Sequence, residues 1–278
     1  TLDHSKLDGN FQDGSFPGGT SNPSATTGRD NTTSGAYEFT PSSTTPGDYI
    51  SVTHSTTLAP TSAITVSLWA HSTNWQSLCN GISRLLLSKT HSGGYNLGCY
   101  QNTIRFELRV GSGYKQRTYS VTNLTSGWHH IVGTYDQATG KQFLYLDGTA
   151  VDNVTTSGAI SYQYNNSLII GGEAGSDTSP DAGSGSYQFW QGKLDDVRIY
   201  NRALSANEVF DLYFEPTRSL AAYYPLAGNG NDLSGNSYHG TLGSGNSEPS
   251  VTTGHSGLNA QAYSLDGTDD YIALNKSV

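Results

Sequence analysis

Short runs of alternating apolar and polar residues recur along this chain, separated by clusters of Gly, Asn, Asp and Pro. In Ile64-Thr-Val-Ser-Leu-Trp-Ala70 the alternation sends Ile64, Val66, Leu68 and Ala70 to one face and Thr65, Ser67 and Trp69 to the other, because successive strand side chains point to opposite sides. Similar runs predict strands over Thr103–Val110, Trp128–Tyr135, Lys141–Leu146, Ser167–Ile170 and Lys193–Tyr200. Many short strands with turn signals between them mark an all-β sandwich or barrel. Asp147-Gly148 reads as a tight hairpin turn, since glycine takes the positive φ such a turn requires. Only one segment reads as helical. Ser205-Ala-Asn-Glu208 is a capping box, and Val209, Leu212 and Tyr213 supply a short apolar stripe behind it. Residues 171 to 186 are too polar and Gly-rich to pack, and loops of this kind on β scaffolds carry ligand sites.

The end of the chain repeats its beginning. Leu226-Ala-Gly-Asn-Gly-Asn-Asp232 echoes Leu7-Asp-Gly-Asn-Phe-Gln-Asp13, Ala262-Tyr-Ser-Leu265 echoes Ala36-Tyr-Glu-Phe39, and Asp270-Tyr-Ile272 echoes Asp48-Tyr-Ile50. The strand-like sequence that follows Ile50 has no counterpart after Ile272, so the repeat predicts one unit over residues 1–213, a linker over 214–219 broken by Pro216, and the opening portion of a second unit over 220–278. So small a piece buries too little surface to form a core alone. Its opening run, Leu220-Ala-Ala-Tyr-Tyr-Pro-Leu226, is apolar where the matching Thr1-Leu-Asp-His-Ser-Lys-Leu7 is polar.

Composition sharpens the class. With 34% hydrophobic and only 13% charged residues, 33 glycines, 18 tyrosines and no methionine, the chain suits turns and half-buried aromatic faces rather than solvated helices. A net charge of -9 without a Lys/Arg cluster argues against nucleic acid as a partner. No run of 18 apolar residues exists, which argues against membrane insertion by a helix. The chain does not open with Met, which suggests a processed protein. Cys79 and Cys99 flank a strand-turn-strand segment, Arg84–Ser88 and Tyr95–Tyr100, whose antiparallel pairing would bring its ends together. A disulfide would fit secretion; two buried thiols in a reducing compartment are the alternative.

Taken in order, Ser67-Leu-Trp-Ala70, Gly127-Trp-His-His-Ile-Val-Gly-Thr-Tyr-Asp136, Leu144-Tyr-Leu-Asp-Gly148, Ile169-Ile-Gly-Gly172 and Gly192-Lys-Leu-Asp-Asp-Val-Arg-Ile-Tyr200 resemble the laminin G-like, concanavalin A-like jelly roll of bacterial extracellular accessory domains. The resemblance implies two stacked antiparallel sheets, followed here by a partial second sandwich. It also implies one structural Ca2+ between the opening Gly-Asn-x-x-Asp loop and the closing Leu-Asp-Asp strand, with Asn10, Asp13, Asp195 and Asp196 as ligands. The plainer alternative has Asp13 in a turn and Asp195 and Asp196 paired with Arg198. Asp232 and Asn231 match the same loop in the second unit.

Other polar residues carry less. Related folds that hydrolyse glucans place Glu-x-Asp-x-x-Glu on one strand; no such run occurs, Glu107 stands alone, and Glu173, Asp177 and Asp181 lie on the Gly-rich loop, where solvation explains them. His129 and His130 follow one another on a strand and face opposite ways, so they cannot chelate one metal. Trp75, Tyr114, Tyr187 and Trp190 near loops are candidates for stacking on sugar rings, with core or rim packing as the alternative. Asn-x-Ser/Thr sequons at Asn31, Asn123, Asn153, Asn165 and Asn275 matter only in a glycosylating source.

These readings converge on a non-catalytic, secreted or cell-surface module with a structural or adhesive role. An unfinished sandwich exposes strand edges, so copies of this chain are the expected partner, joined head to tail through Leu220, Tyr223, Tyr224, Leu226, Tyr271 and Ile272. A carbohydrate-binding lectin that recognises glycans, cut from a longer multidomain protein, is the alternative.

Overall fold

The computed structural model describes residues 14–16, 22–40, 47–81, 83–89, 93–173, 188–214, 224, 226, 229–231, 238–253 and 262–274. The chain divides into two compact units, Thr1–Glu215 and Pro216–Val278.

The first unit is built on two seven-stranded sheets whose neighbours all pair antiparallel. Sheet A runs β1 (Gly14–Ser15), β4 (Ile50–Val52), β13 (Leu168–Ile170), β6 (Arg84–Ser88), β7 (Tyr95–Tyr100), β8 (Thr103–Val110), β9 (Gly113–Ser120). Sheet B runs β12 (Thr149–Thr155), β11 (Lys141–Leu146), β10 (Gly127–Asp136), β5 (Ala63–Ser72), β14 (Gly192–Tyr200), β3 (Ala36–Phe39), β2 (Ser24–Thr26). The outer pair β1–β4 lies in one sheet and the nested pair β2–β3 in the other, the sheet switching of a jelly roll.

Alternation decides what each sheet turns inward. On β8, Ile104, Phe106, Leu108 and Val110 are buried while Thr103, Arg105, Glu107 and Arg109 are only partly covered. From the opposite sheet, Ile64, Val66, Leu68 and Ala70 of β5, Ile131 of β10 and Leu144 of β11 meet them in one apolar core. Each fully buried aliphatic side chain contributes about 1.5–3 kcal/mol. The Asp147-Gly148 turn joins β11 to β12 with both residues at positive φ, 49° and 76°, as a two-residue hairpin turn demands.

Thr65, Ser67 and Trp69 face away from that core, as the alternation predicts, and their side is itself covered in part. The helix α2 (Ala206–Tyr213), started by the expected Ser205–Glu208 capping box, covers this outer face of sheet B. Val132, Tyr145, Leu204 and Val209 form a second buried cluster there, Trp69 stacks on Tyr213 at 5.5 Å, and Thr65 Oγ1 donates to Arg202 O. One sequence expectation needs correction: the Ser205 segment is not the sole helix, since α1 (Trp75–Cys79) forms as well, capped by Asn74, whose side chain accepts from Ser77 N.

In the second unit the described strands form two pairs. β15 (Gly240–Leu242) pairs with β18 (Ile272–Leu274), and β16 (Ser250–Thr252) pairs with β17 (Ala262–Ser264).

Candidate functional site

While α2 covers the middle of the outer face of sheet B, the outer face of sheet A carries a polar surface on β7, β8 and β9. It is paved by cross-strand polar neighbours. Asn96 on β7 stands opposite Glu107 on β8, which stands opposite Gln116 on β9; Gly98, Arg105 and Thr118 form the next row.

A pocket of about 240 Å³ opens on this face, walled by Asn96, Tyr100, Arg105, Glu107, Glu173 and Gln188. Gly98 contributes bare backbone to the lining. A Cβ there would lie 2.5 Å from the Arg84 carbonyl oxygen and 2.7 Å from Leu85 Cδ2, because the β6 ladder is bulged between Leu85 and Leu87. The lining is held from several sides. Asn96 Nδ2 donates to Glu107 Oε1 at 3.3 Å. Arg105 lies over the Tyr100 ring at 4.7 Å and donates to Thr103 Oγ1, Gln116 Oε1 and Gln101 Oε1. The Cys79–Cys99 disulfide, closing a separation of 20 residues, ties α1 to β7 beside the pocket. Chemically the pocket offers carboxylate acceptors, a guanidinium donor and amides that do both. Glu107 stands alone in its run of sequence, and the fold brings Glu173 and Gln188, distant in the chain, to the same pocket.

The aromatic candidates separate. Trp75 and Trp190 are 1% and 0% exposed and pack on one another at 5.6 Å, so neither ring reaches a sugar. They are interior residues placed there by α1 and by the segment entering β14. Tyr114 is exposed on the edge strand β9, with Arg109 at 5.7 Å from its ring. Tyr187 lies outside the described residues.

Of the expected calcium ligands, Asn10 and Asp13 also lie outside the described residues. Asp195 and Asp196 sit where β14 bulges against β5, with Asp196 at φ 47°. Asp196 Oδ2 accepts from Arg29 Nε and Nη2, the latter at 2.6 Å, and Asp196 Oδ1 faces Arg198 at 3.5 Å. Both oxygens thus face arginine cations, an arrangement that does not suit Asp196 as a ligand to a dication. Asp195 Oδ2 accepts the Arg29 backbone N–H at 3.0 Å, and burial pushes its carboxyl up to about 6. In the second unit, Asp266, Asp269 and Asp270 approach within 4.8 Å. Asp270 accepts the Asp266 backbone N–H, Asp266 accepts those of Thr268 and Asp269, and Asp269 accepts from the Ser247 hydroxyl.

The two histidines take opposite sides, as read from sequence. His129 shares a 2.7 Å contact with Asp147 and stands edge-on to Trp75; burial opposes its charge, but the carboxylate prevails and raises its pKa. His130 shares a 2.9 Å hydrogen bond with Ser67 and stacks on Trp69. At 1% exposure this Ser–His pair has no access to a substrate. Burial, with the Arg29 and Arg198 charges, lowers its pKa to about 3.

Of the assembly candidates, Tyr224 donates its hydroxyl to Tyr238 O, Leu226 is half-buried at φ 56°, Tyr271 is exposed, and Ile272 opens β18. Leu220 and Tyr223 lie outside the described residues. Among the described residues no helix is long and apolar enough to cross a membrane.

This architecture, two antiparallel sheets with nested terminal pairs, defines a lectin-like sandwich. The chain belongs to the concanavalin A-like lectin/glucanases superfamily, whose laminin G model matches residues 43–210. No curated protein matches it at a significant level. Among solved structures it is similar to the binding domain of Paraclostridial Mosquitocidal Protein 1, at 16% identity and TM-score 0.52, over 90% of this chain and 63% of that one. It is also similar to the binding domain of Botulinum Neurotoxin DC in complex with SialylT, at 13% identity and TM-score 0.50, over 69% of this chain and 44% of that one. The chain therefore spans less than two thirds of either structure, and the likeness is one of fold.

Proposed function

We propose that the chain is a non-catalytic binding module of a secreted or cell-surface protein, and that the outer face of sheet A takes a polyhydroxylated ligand, a glycan, in an adhesive role. The observation that carries this reading is the pocket on β7 and β8. Vicinal hydroxyls both donate and accept, and Asn96, Arg105, Glu107, Glu173 and Gln188 offer both kinds of partner around one opening. The disulfide supports an oxidising compartment. The sequence contains no Glu-x-Asp-x-x-Glu run, which supports binding over hydrolysis. A glycan array probed with the intact chain tests the reading, with Asn96→Ala and Arg105→Ala as controls. At least one glycan should bind, and both variants should weaken it about tenfold or more at unchanged melting temperature. No hit at millimolar affinity, or hits indifferent to both substitutions, would overturn the reading.

Self-association of the chain is a second reading, favoured by a separate observation. Leu265, Tyr271 and Leu274 of the second unit are 55%, 51% and 47% exposed, and apolar surface gathered on one small unit marks an interaction site. Light scattering should show a native mass that rises with concentration above the 29.6 kDa of one chain; a monomer throughout would sink this reading.

A further inference from the structure

The strand pairs of the second unit reproduce, residue for residue, the register of the first four strands of the first. Thr26–Ala36, Ala25–Tyr37 and Ser24–Glu38 across β2 and β3 recur as Thr252–Ala262, Val251–Tyr263 and Ser250–Ser264 across β16 and β17. Gly14–Val52 and Ser15–Ser51 across β1 and β4 recur as Gly240–Leu274 and Thr241–Ala273 across β15 and β18. A one-residue slip would reverse every side chain, so matched register in both pairs also matches the faces.

The two sets differ in what lies beside them. In the first unit β3 pairs on its other edge with β14, Leu194 opposite Tyr37 and Lys193 opposite Glu38, and β4 pairs with β13, Ile169 opposite Ser51. In the second unit neither β17 nor β18 has a second neighbour among the described residues. The apolar positions differ in the same way. Phe39 and Val52 are 1% and 8% exposed, whereas their counterparts Leu265 and Leu274 are 55% and 47% exposed. The sequence keeps large apolar residues at core positions for which no core is present among the described residues. A free edge next to such residues accepts whatever strand has the right spacing and faces.

We infer that the second unit is a strand-exchange element whose partner is a second copy of this chain. It takes the place of β1 to β4 in that copy, with β17 pairing to the copy's β14 and β18 to its β13. The occupant is specified by the first unit itself, since β13 and β14 already accept strands of this register and polarity. The contact joins unlike surfaces and so propagates head to tail. This inference rests on the self-association reading and adds to it the surface and the register.

The test is disulfide trapping in the full-length chain. Lys193 is only partly buried and Ser264 is exposed, so Lys193→Cys with Ser264→Cys leaves the core untouched. Exchange would set the two introduced thiols opposite one another on different chains, within the spacing a disulfide spans. Under mild air oxidation, gels without reductant should show a ladder of linked chains, and light scattering of the parent chain should show oligomers. Lys193→Cys with Ser250→Cys, which places the second thiol on β16 instead, should give no ladder. Adding Leu274→Asp, at a position already exposed, should lower the yield about tenfold or more by burying a charge on docking. Oligomers of the parent chain, without a ladder from the Lys193→Cys, Ser264→Cys variant, would overturn the exchange site while self-association stands. A monomer without cross-links would overturn both, and a link confined to single chains would overturn the second copy as partner.

Discussion

The ring of Phe106 on sheet A lies against the bare backbone of Gly133 on sheet B. A Cβ at position 133 would fall 2.1 Å from Phe106 Cγ, closer than any two non-bonded carbons tolerate. The two sheets are therefore spaced at this point by a phenyl ring against a glycine. Gly133→Ala should destabilise the first unit by about 1–3 kcal/mol, the range for overpacked cores. A urea midpoint checks this, and pairing it with Phe106→Leu should recover part of the loss.

Reduction of Cys79–Cys99 should act on stability and on the pocket together. The bridge closes a separation of 20 residues, for which chain entropy gives about 3 kcal/mol. Urea curves with and without reductant should differ by that order. Ligand affinity of the reduced, still folded chain should also fall, because Cys99 lies between Gly98 and Tyr100 in the pocket wall.

Acid should unfold the first unit partly through His130. The unfolded imidazole titrates near 6.5 and the buried one near 3, so between those values the unfolded chain holds the extra proton and stability falls as pH drops. The slope expected is roughly 1 kcal/mol per pH unit at its steepest. Asp195 works the other way: its carboxyl is raised from 3.8 to about 6, so the folded state is the better proton binder and is weakened as pH rises across that window. Comparing His130→Gln with the parent chain separates the two. The variant should lose the acid sensitivity between pH 6.5 and about 3, and an unchanged slope would rule His130 out as its source.

Within the pocket, Gly98→Ala should be worse for the fold than Asn96→Ala. The added methyl meets the Arg84 carbonyl and Leu85 at less than contact distance, whereas Asn96 loses a single half-exposed hydrogen bond to Glu107. Thermal melts should show a drop of several degrees for Gly98→Ala and little change for Asn96→Ala.

Period-two alternation was enough to place β5, β8, β10, β11 and β14 and, on β5, to separate the two faces, because a strand's faces are set by local geometry alone. The same is true of the capping box that starts α2 and the Asp147-Gly148 turn, where neighbouring residues satisfy or strain one another without help from the rest of the fold. β9 was not legible. Gly113-Tyr-Lys-Gln-Arg-Thr-Tyr-Ser120 is almost wholly polar, and it is a strand because β8 offers it a ladder. Tertiary packing alone decided that Trp75 and Trp190 lie inside, that α2 closes the outer face of sheet B, and that Asn96, Glu107, Glu173 and Gln188 share a pocket. Those outcomes depend on which distant surfaces meet when two sheets stack, and contacts between residues far apart in the chain leave no periodic signal in it.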